Sequence, residues 1–146
     1  MSESASDLAA IELAESIGLL VRRVRAASDA HGLSLAERSV LNHLSREGAT
    51  TTADLARYQG MKPQSMGTII AKLQRLGLVR RKPHPTDGRQ FNVDLTAKGA
   101  AVRRSIREAK ETWIAQAVSQ LSAQDQKTLF AAGSIIRRMV KAGAEQ

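Results

Sequence analysis

Cysteine is absent from the 146-residue chain, and with it go disulfides, thiolate metal sites, cysteine nucleophiles and thiol redox sensing. Aromatic residues are nearly as scarce, with one Trp, one Tyr and two Phe. That weighs against an RNA or single-strand binder, which stacks bases on aromatic rings. No apolar run approaches the roughly 20 residues needed to cross a bilayer, so no membrane partner is expected. The opening MSESASDLAA lacks the basic start and apolar middle of a secretory signal, and a cytoplasmic protein is expected. No Ser/His/Asp spacing, glycine-rich phosphate loop or cleft of paired carboxylates can be assembled, so neither an enzyme activity nor a cofactor is implied. His31 and His43 have no second histidine at helical spacing, and no metal site is expected there.

What is present is a chain able to bury one ordinary core, at 42% hydrophobic content, and a localised excess of positive charge. The formal net charge is +8. Between Lys72 and Lys110 lie eleven Lys/Arg (Lys72, Arg75, Arg80, Arg81, Lys82, Arg89, Lys98, Arg103, Arg104, Arg107, Lys110) against three acids (Asp87, Asp94, Glu108), while the remainder balances. A charge run is often only a solvated face, but one that carries the whole imbalance points to a polyanion-facing surface.

Helix signals fill most of the chain. Residues 8 to 26 set Leu13, Ile17, Leu20 and Val24 on one stripe, broadened by Leu8, Ile11, Leu19 and Val21 beyond what one partner needs. Ser34 and Glu37 form a capping box for a helix to Arg46 that Gly48 stops, and Thr51 with Asp54 opens the short TADLARYQ, ended by Gly60. Pro63 suits a first helical turn, so the next helix runs to Leu76 with Gly77 as stop; Gly67 inside it costs about 1 kcal/mol relative to Ala. Met61 and Met66 flank the intervening turn as packing residues. Thr96 caps a long helix whose stripe is Val102, Ile106, Trp113 and Ala117, and Ser122 with Asp125 caps a last one bearing Leu129, Ile136 and Met139.

Between Gly77 and Thr96 the period changes. LVRRKPHP reads as a short strand, TDGR as a turn, and Phe91, Val93 and Leu95 alternate with Gln90, Asn92 and Asp94. A two-stranded hairpin is marginal alone, so Leu78, Phe91, Val93 and Leu95 are expected to pack one face on the helices. The fold class that follows is mainly α with a small β-hairpin wing: a winged helix-turn-helix in which Gly60 to Lys62 is the turn and the helix after it presents its first turns to the major groove. Arg89 at the wing tip can then enter the narrow, negative minor groove. His84 lies in the wing as a phosphate contact or an exposed side chain.

Asp87-Gly88-Arg89, five residues, Leu95-Thr96 and then Lys98-Gly99, preceded by LQRLGLVRR, resembles the wing signature of the MarR family of winged-helix transcriptional regulators. The element order matches over nearly the whole chain, with the specific motifs confined to residues 51 to 99. The resemblance implies a homodimer whose first and last helices intertwine (residues 1–33 and 97–146) around a DNA-binding region (34–96). It also implies a pseudo-palindromic double-stranded operator and repression relieved by a small, often aromatic, effector. Carried over, Arg89 enters the minor groove with Asp87 orienting its guanidinium. Gln64, Ser65 and Thr68, with Lys72 continuing the face, read or clamp the major groove, and Lys62 and Arg81 clamp the backbone. The chain departs from the common pattern in lacking an Arg near Thr68 and a hydroxyl near Gly67. A ligand-independent nucleoid-type DNA binder and a non-enzymatic interaction module are the alternatives.

Overall fold

Five of the six helices among the described residues begin where a side chain takes up a free N–H group. The computed structural model describes residues 4–144. Its elements are α1 (Ala5–Ala27), α2 (Leu35–Glu47), β1 (Thr50–Thr51), α3 (Thr52–Gln59), α4 (Pro63–Arg75), β2 (Val79–Pro83), β3 (Phe91–Leu95), α5 (Ala97–Ser119) and α6 (Ala123–Ala144). Ser34, Thr51, Thr96 and Ser122 accept the expected backbone N–H bonds from Glu37, Asp54, Gly99 and Asp125 at 3.0–3.1 Å. A further capping box, Ser4 with Asp7, starts α1 three residues ahead of the apolar stripe that marks it in the sequence. Among the described residues no helix is long and apolar enough to cross a membrane.

The core forms where α2, α3 and α4 close on the sheet. Val40, Leu41, Leu44, Leu55, Met66, Ile70 and Leu73 from the helices meet Leu78, Val79 and Val93, and each fully buried side chain contributes about 1.5–3 kcal/mol. Met61 packs at its edge, as expected of the residues flanking the turn. From α5 only Gly99 and Ile106 are buried, so the expected stripe is sheltered at its start; Trp113 is half-buried and Ala117 exposed.

The sheet differs from the expected hairpin in three respects. It has three antiparallel strands in the order β1-β3-β2, because Thr50 and Thr51 pair with Val93 and Asn92. The tip turn is Asp87–Gln90, closed by Gln90 N–H to Asp87 O at 3.2 Å, one residue later than TDGR. Phe91 does not pack: it is 53% exposed, since β2 and β3 run on past the helices, which cover Val79 and Val93 and partly cover Leu95 on that face. Pro83 pairs with Phe91 on the edge strand, where a missing N–H is tolerated.

α1 and α6 contain no buried residue. Leu13, Ile17, Leu20 and Leu129, Ile136, Met139 are all exposed in the single chain. α1 lies along α5, and the loop that follows it is tied to the body by Arg38 of α2, itself only 4% exposed. Its guanidinium donates to Ser28 Oγ at 2.9 Å, to the carbonyls of Ser28 and Leu33 at 3.3 Å, and to Asp29 Oδ1 at 3.0 Å.

Candidate nucleic-acid interface

α4 holds the core by one stripe, Met66, Ile70 and Leu73, and leaves the opposite face free. Lys62, Gln64, Ser65 and Thr68 are exposed on that face and at its start. Lys62 makes no side-chain cap and Pro63 follows it, so the first-turn N–H groups are left for an outside acceptor. Thr68 Oγ1 donates back to Gln64 O at 3.2 Å, which keeps its lone pairs outward while its proton is engaged.

Lys72 departs from its expected place. Its Nζ lies 2.8 Å from Glu37 Oε1, so it bridges α4 to α2 and its charge is matched within the chain. Burial would raise the Glu37 carboxyl, but the Lys72 bond and charge, with the Ser34 N–H and hydroxyl, hold it below the usual glutamate range.

The wing loop is organised from within. Asp87, half-buried, accepts the backbone N–H of Arg89 on Oδ1 at 3.0 Å and Gln90 Nε2 on Oδ2 at 3.3 Å. The expected pairing of Asp87 with the Arg89 guanidinium is therefore replaced by an Asx-type bond to the Arg89 backbone; the carboxylate shapes the turn, and the guanidinium extends free. His84 Nδ1 accepts the N–H groups of Thr86 and Asp87 at 3.2 and 3.0 Å, so it is a loop organiser. Nothing in the sequence spacing marks that role.

On the strands, Arg80 and Lys82 share a face with Asp94 and lie 3.6 and 3.1 Å from its carboxylate. Partial burial would raise Asp94; the bond from Lys82, the Leu95 N–H and both cations hold it below the usual aspartate range. Arg81 lies on the other face and is exposed. Apart from Lys110, which lines a cleft between α2 and α5, the cations divide. Lys72, Arg80, Lys82 and Arg107 meet carboxylates, while Lys98 and Arg103 donate to Leu76 O and Asn42 Oδ1. Arg75, Arg81, Arg89 and Arg104 are exposed without a partner among the described residues.

A second cationic feature lies between α2 and α5. A cleft of about 470 Å³ is lined by Arg38, Arg46, Arg103, Arg107 and Lys110 over an apolar floor of Leu35, Leu41 and Ile106. Burial, and then the nearby Arg38 charge, pull Lys110 below the usual lysine range. His43 of α2 packs against Tyr58 with ring centroids 4.3 Å apart and planes tilted by 51°.

The family model described as MarR family matches residues 31–90, the span from the loop before α2 to the wing tip. The chain is 33% identical over 131 residues to the HTH-type transcriptional regulator MT0903.1 of Mycobacterium tuberculosis, covering 90% of this chain and 92% of the relative. It is 32% identical over 112 residues to the HTH-type transcriptional repressor Rv2887 of the same species, covering 76% and 81%. Among solved structures, a putative transcriptional regulator of Pseudomonas aeruginosa superposes with TM-score 0.83 at 26% identity, over 94% of this chain and 98% of that one. Relatives matched almost end to end, with the family pattern lying over the turn, the helix after it and the wing as far as its tip, make this chain a member of the MarR family of DNA-binding transcriptional regulators.

Proposed function

We propose that the protein is a homodimeric repressor that grips a pseudo-palindromic operator through α4 and the wing, and that a small anionic effector held between α2 and α5 releases it. The observation carrying the DNA reading is the free face of α4 (Lys62, Gln64, Ser65, Thr68) continuing through Gly77 into a wing whose Arg81 and Arg89 have no ionic partner among the described residues. Gln can bond adenine at two atoms, Ser and Thr suit phosphates or base edges, and an arginine on a thin loop fits the minor groove. Lys72 is assigned to the bridge with Glu37 more than to phosphate.

The dimer is supported by α1 and α6, whose exposed leucines, isoleucines and Phe130 exceed what a monomer leaves uncovered. Two copies would set their α4 helices for half-sites about 34 Å apart, one turn of duplex. The effector reading rests on five cations around an apolar-floored cleft. An effector releases DNA only if it binds better to a dimer that misfits the operator.

Selection of bound duplexes from a random pool tests the reading. An inverted repeat with half-sites one turn apart is expected; recovery of no common sequence would overturn it in favour of a nucleoid-type binder. Sedimentation is expected to give a dimer, and a stable monomer at micromolar concentration would overturn that part.

A further inference from the structure

Three consecutive carbonyl oxygens beyond α4 are taken by one short segment at the start of α5. Leu76 O accepts from Lys98 Nζ at 2.9 Å, Gly77 O from Thr96 Oγ1 at 2.6 Å, and Leu78 O from Thr96 N–H at 3.1 Å. Two carbonyls of the last turn of α4 are closed locally, Leu73 O by Leu78 N–H and Gln74 O by Gly77 N–H, with Gly77 left-handed at φ 74°. The Lys98 stem lies across this turn, so that a Cβ added to Gly77 would sit 3.7 Å from Lys98 Cδ.

Lys98 is poorly placed for its own helix. It is the second residue of α5, whose first turn carries no acid, and the partial positive charge at a helix N-terminus disfavours a cation there. The end of α4 is the reverse case, since its unpaired carbonyls carry partial negative charge that a lysine stabilises. A cation opposed by the helix that bears it and favoured by the neighbouring one acts as a link between the two.

We infer that Lys98 is a positioning residue for DNA recognition: its ammonium fixes the end of α4 on α5 and so sets how α4 and the wing are presented to the duplex. It does this without touching phosphate, although it lies within the chain's basic segment. The inference rests on the reading that α4 docks on DNA.

The test uses the full chain with Lys98→Met, which keeps the stem and removes the ammonium, and Lys98→Arg, which restores charge and donor. Binding is measured across a salt series to the duplex recovered from the random pool and to a mixed-sequence duplex, with amide exchange followed over residues 73–78. Lys98→Met is expected to bind the selected duplex roughly three- to tenfold more weakly, the worth of one hydrogen bond. Mixed-sequence affinity and the salt slope stay unchanged, exchange quickens, and Lys98→Arg recovers most of the loss. Equal losses on both duplexes, with the slope reduced by about 0.9, would make Lys98 a phosphate contact and overturn the inference. Unchanged affinity and exchange in Lys98→Met would overturn it as well. A wild-type chain that prefers no duplex would instead sink the operator reading, and amide exchange would still decide whether Lys98 holds α4.

Discussion

The Cα of Gly99 faces the carbonyl of Leu78 so closely that an added methyl would lie 2.9 Å from the carbonyl carbon and nearer still to its oxygen. Both atoms are backbone or backbone-bound, so neither can swing aside. Gly99→Ala is expected to push α5 off the start of β2 and to destabilise the fold by about 1–3 kcal/mol, the usual range for overpacking. Urea denaturation measures it; an unchanged midpoint would mean that the helix start is free to shift.

Arg38→Ala is expected to be at least as damaging, by a different route. The carbonyls of Ser28 and Leu33 and the buried Ser28 hydroxyl all lose their donor, and a loss of about 2–5 kcal/mol follows from leaving such groups unmatched. The end of α1 should loosen first, visible as new protease cleavage near residues 28–33.

The wing separates two kinds of contribution. Arg89→Ala is expected to weaken duplex binding and lower the salt slope by about 0.9 while leaving the melting temperature unchanged. Asp87→Ala should also weaken binding, because the turn loses its acceptor for the Arg89 N–H. Asp87→Asn keeps an oxygen at that place and should bind nearly as wild type. Equal losses in Asn and Ala would show that the carboxylate's charge, and with it a guanidinium pairing, is what counts.

Gly67 has no internal reason to be glycine. Its φ is not positive and a Cβ would meet nothing within 4 Å. Gly67→Ala is expected to raise stability by up to about 1 kcal/mol. A fall in stability, read by the same denaturation experiment, would contradict this.

Glu37 makes stability depend on acid. Its carboxyl is held below the ordinary value of about 4.3, so its contribution is complete above that value and is lost as pH falls through the lower, folded value. Glu37→Gln should therefore be less stable than wild type near neutrality, with the gap narrowing as pH falls below the ordinary glutamate value and through the lower, folded one. A gap that stays constant with pH would remove the ion pair with Lys72 as its source.

Local chemistry was readable from the sequence, and distant partners were not. Caps at Ser34, Thr51, Thr96 and Ser122 depend on residues three apart, so their sequence signature is complete. Alternation over Phe91–Leu95 gives the side of the strand but not how far the helices reach, which is why Val93 is buried and Phe91 is not. β1 is two threonines whose strand character comes entirely from pairing some forty residues away. Lys72 looked like one more cation on a helix face because Glu37 lies 35 residues earlier. The roles of Arg38, His84 and Lys98 were not legible for another reason: each acts mainly on backbone oxygens or N–H groups, which no residue pattern advertises.

Two long helices, α1 and α6, shelter none of their own side chains, and helices of such length draw most of their stability from packing rather than propensity. Their winding is thus on loan from whatever lies against them. In the proposed dimer, dilution should unravel these two rods while the wing and its neighbours stay intact, so the far-ultraviolet helical signal becomes a gauge of company.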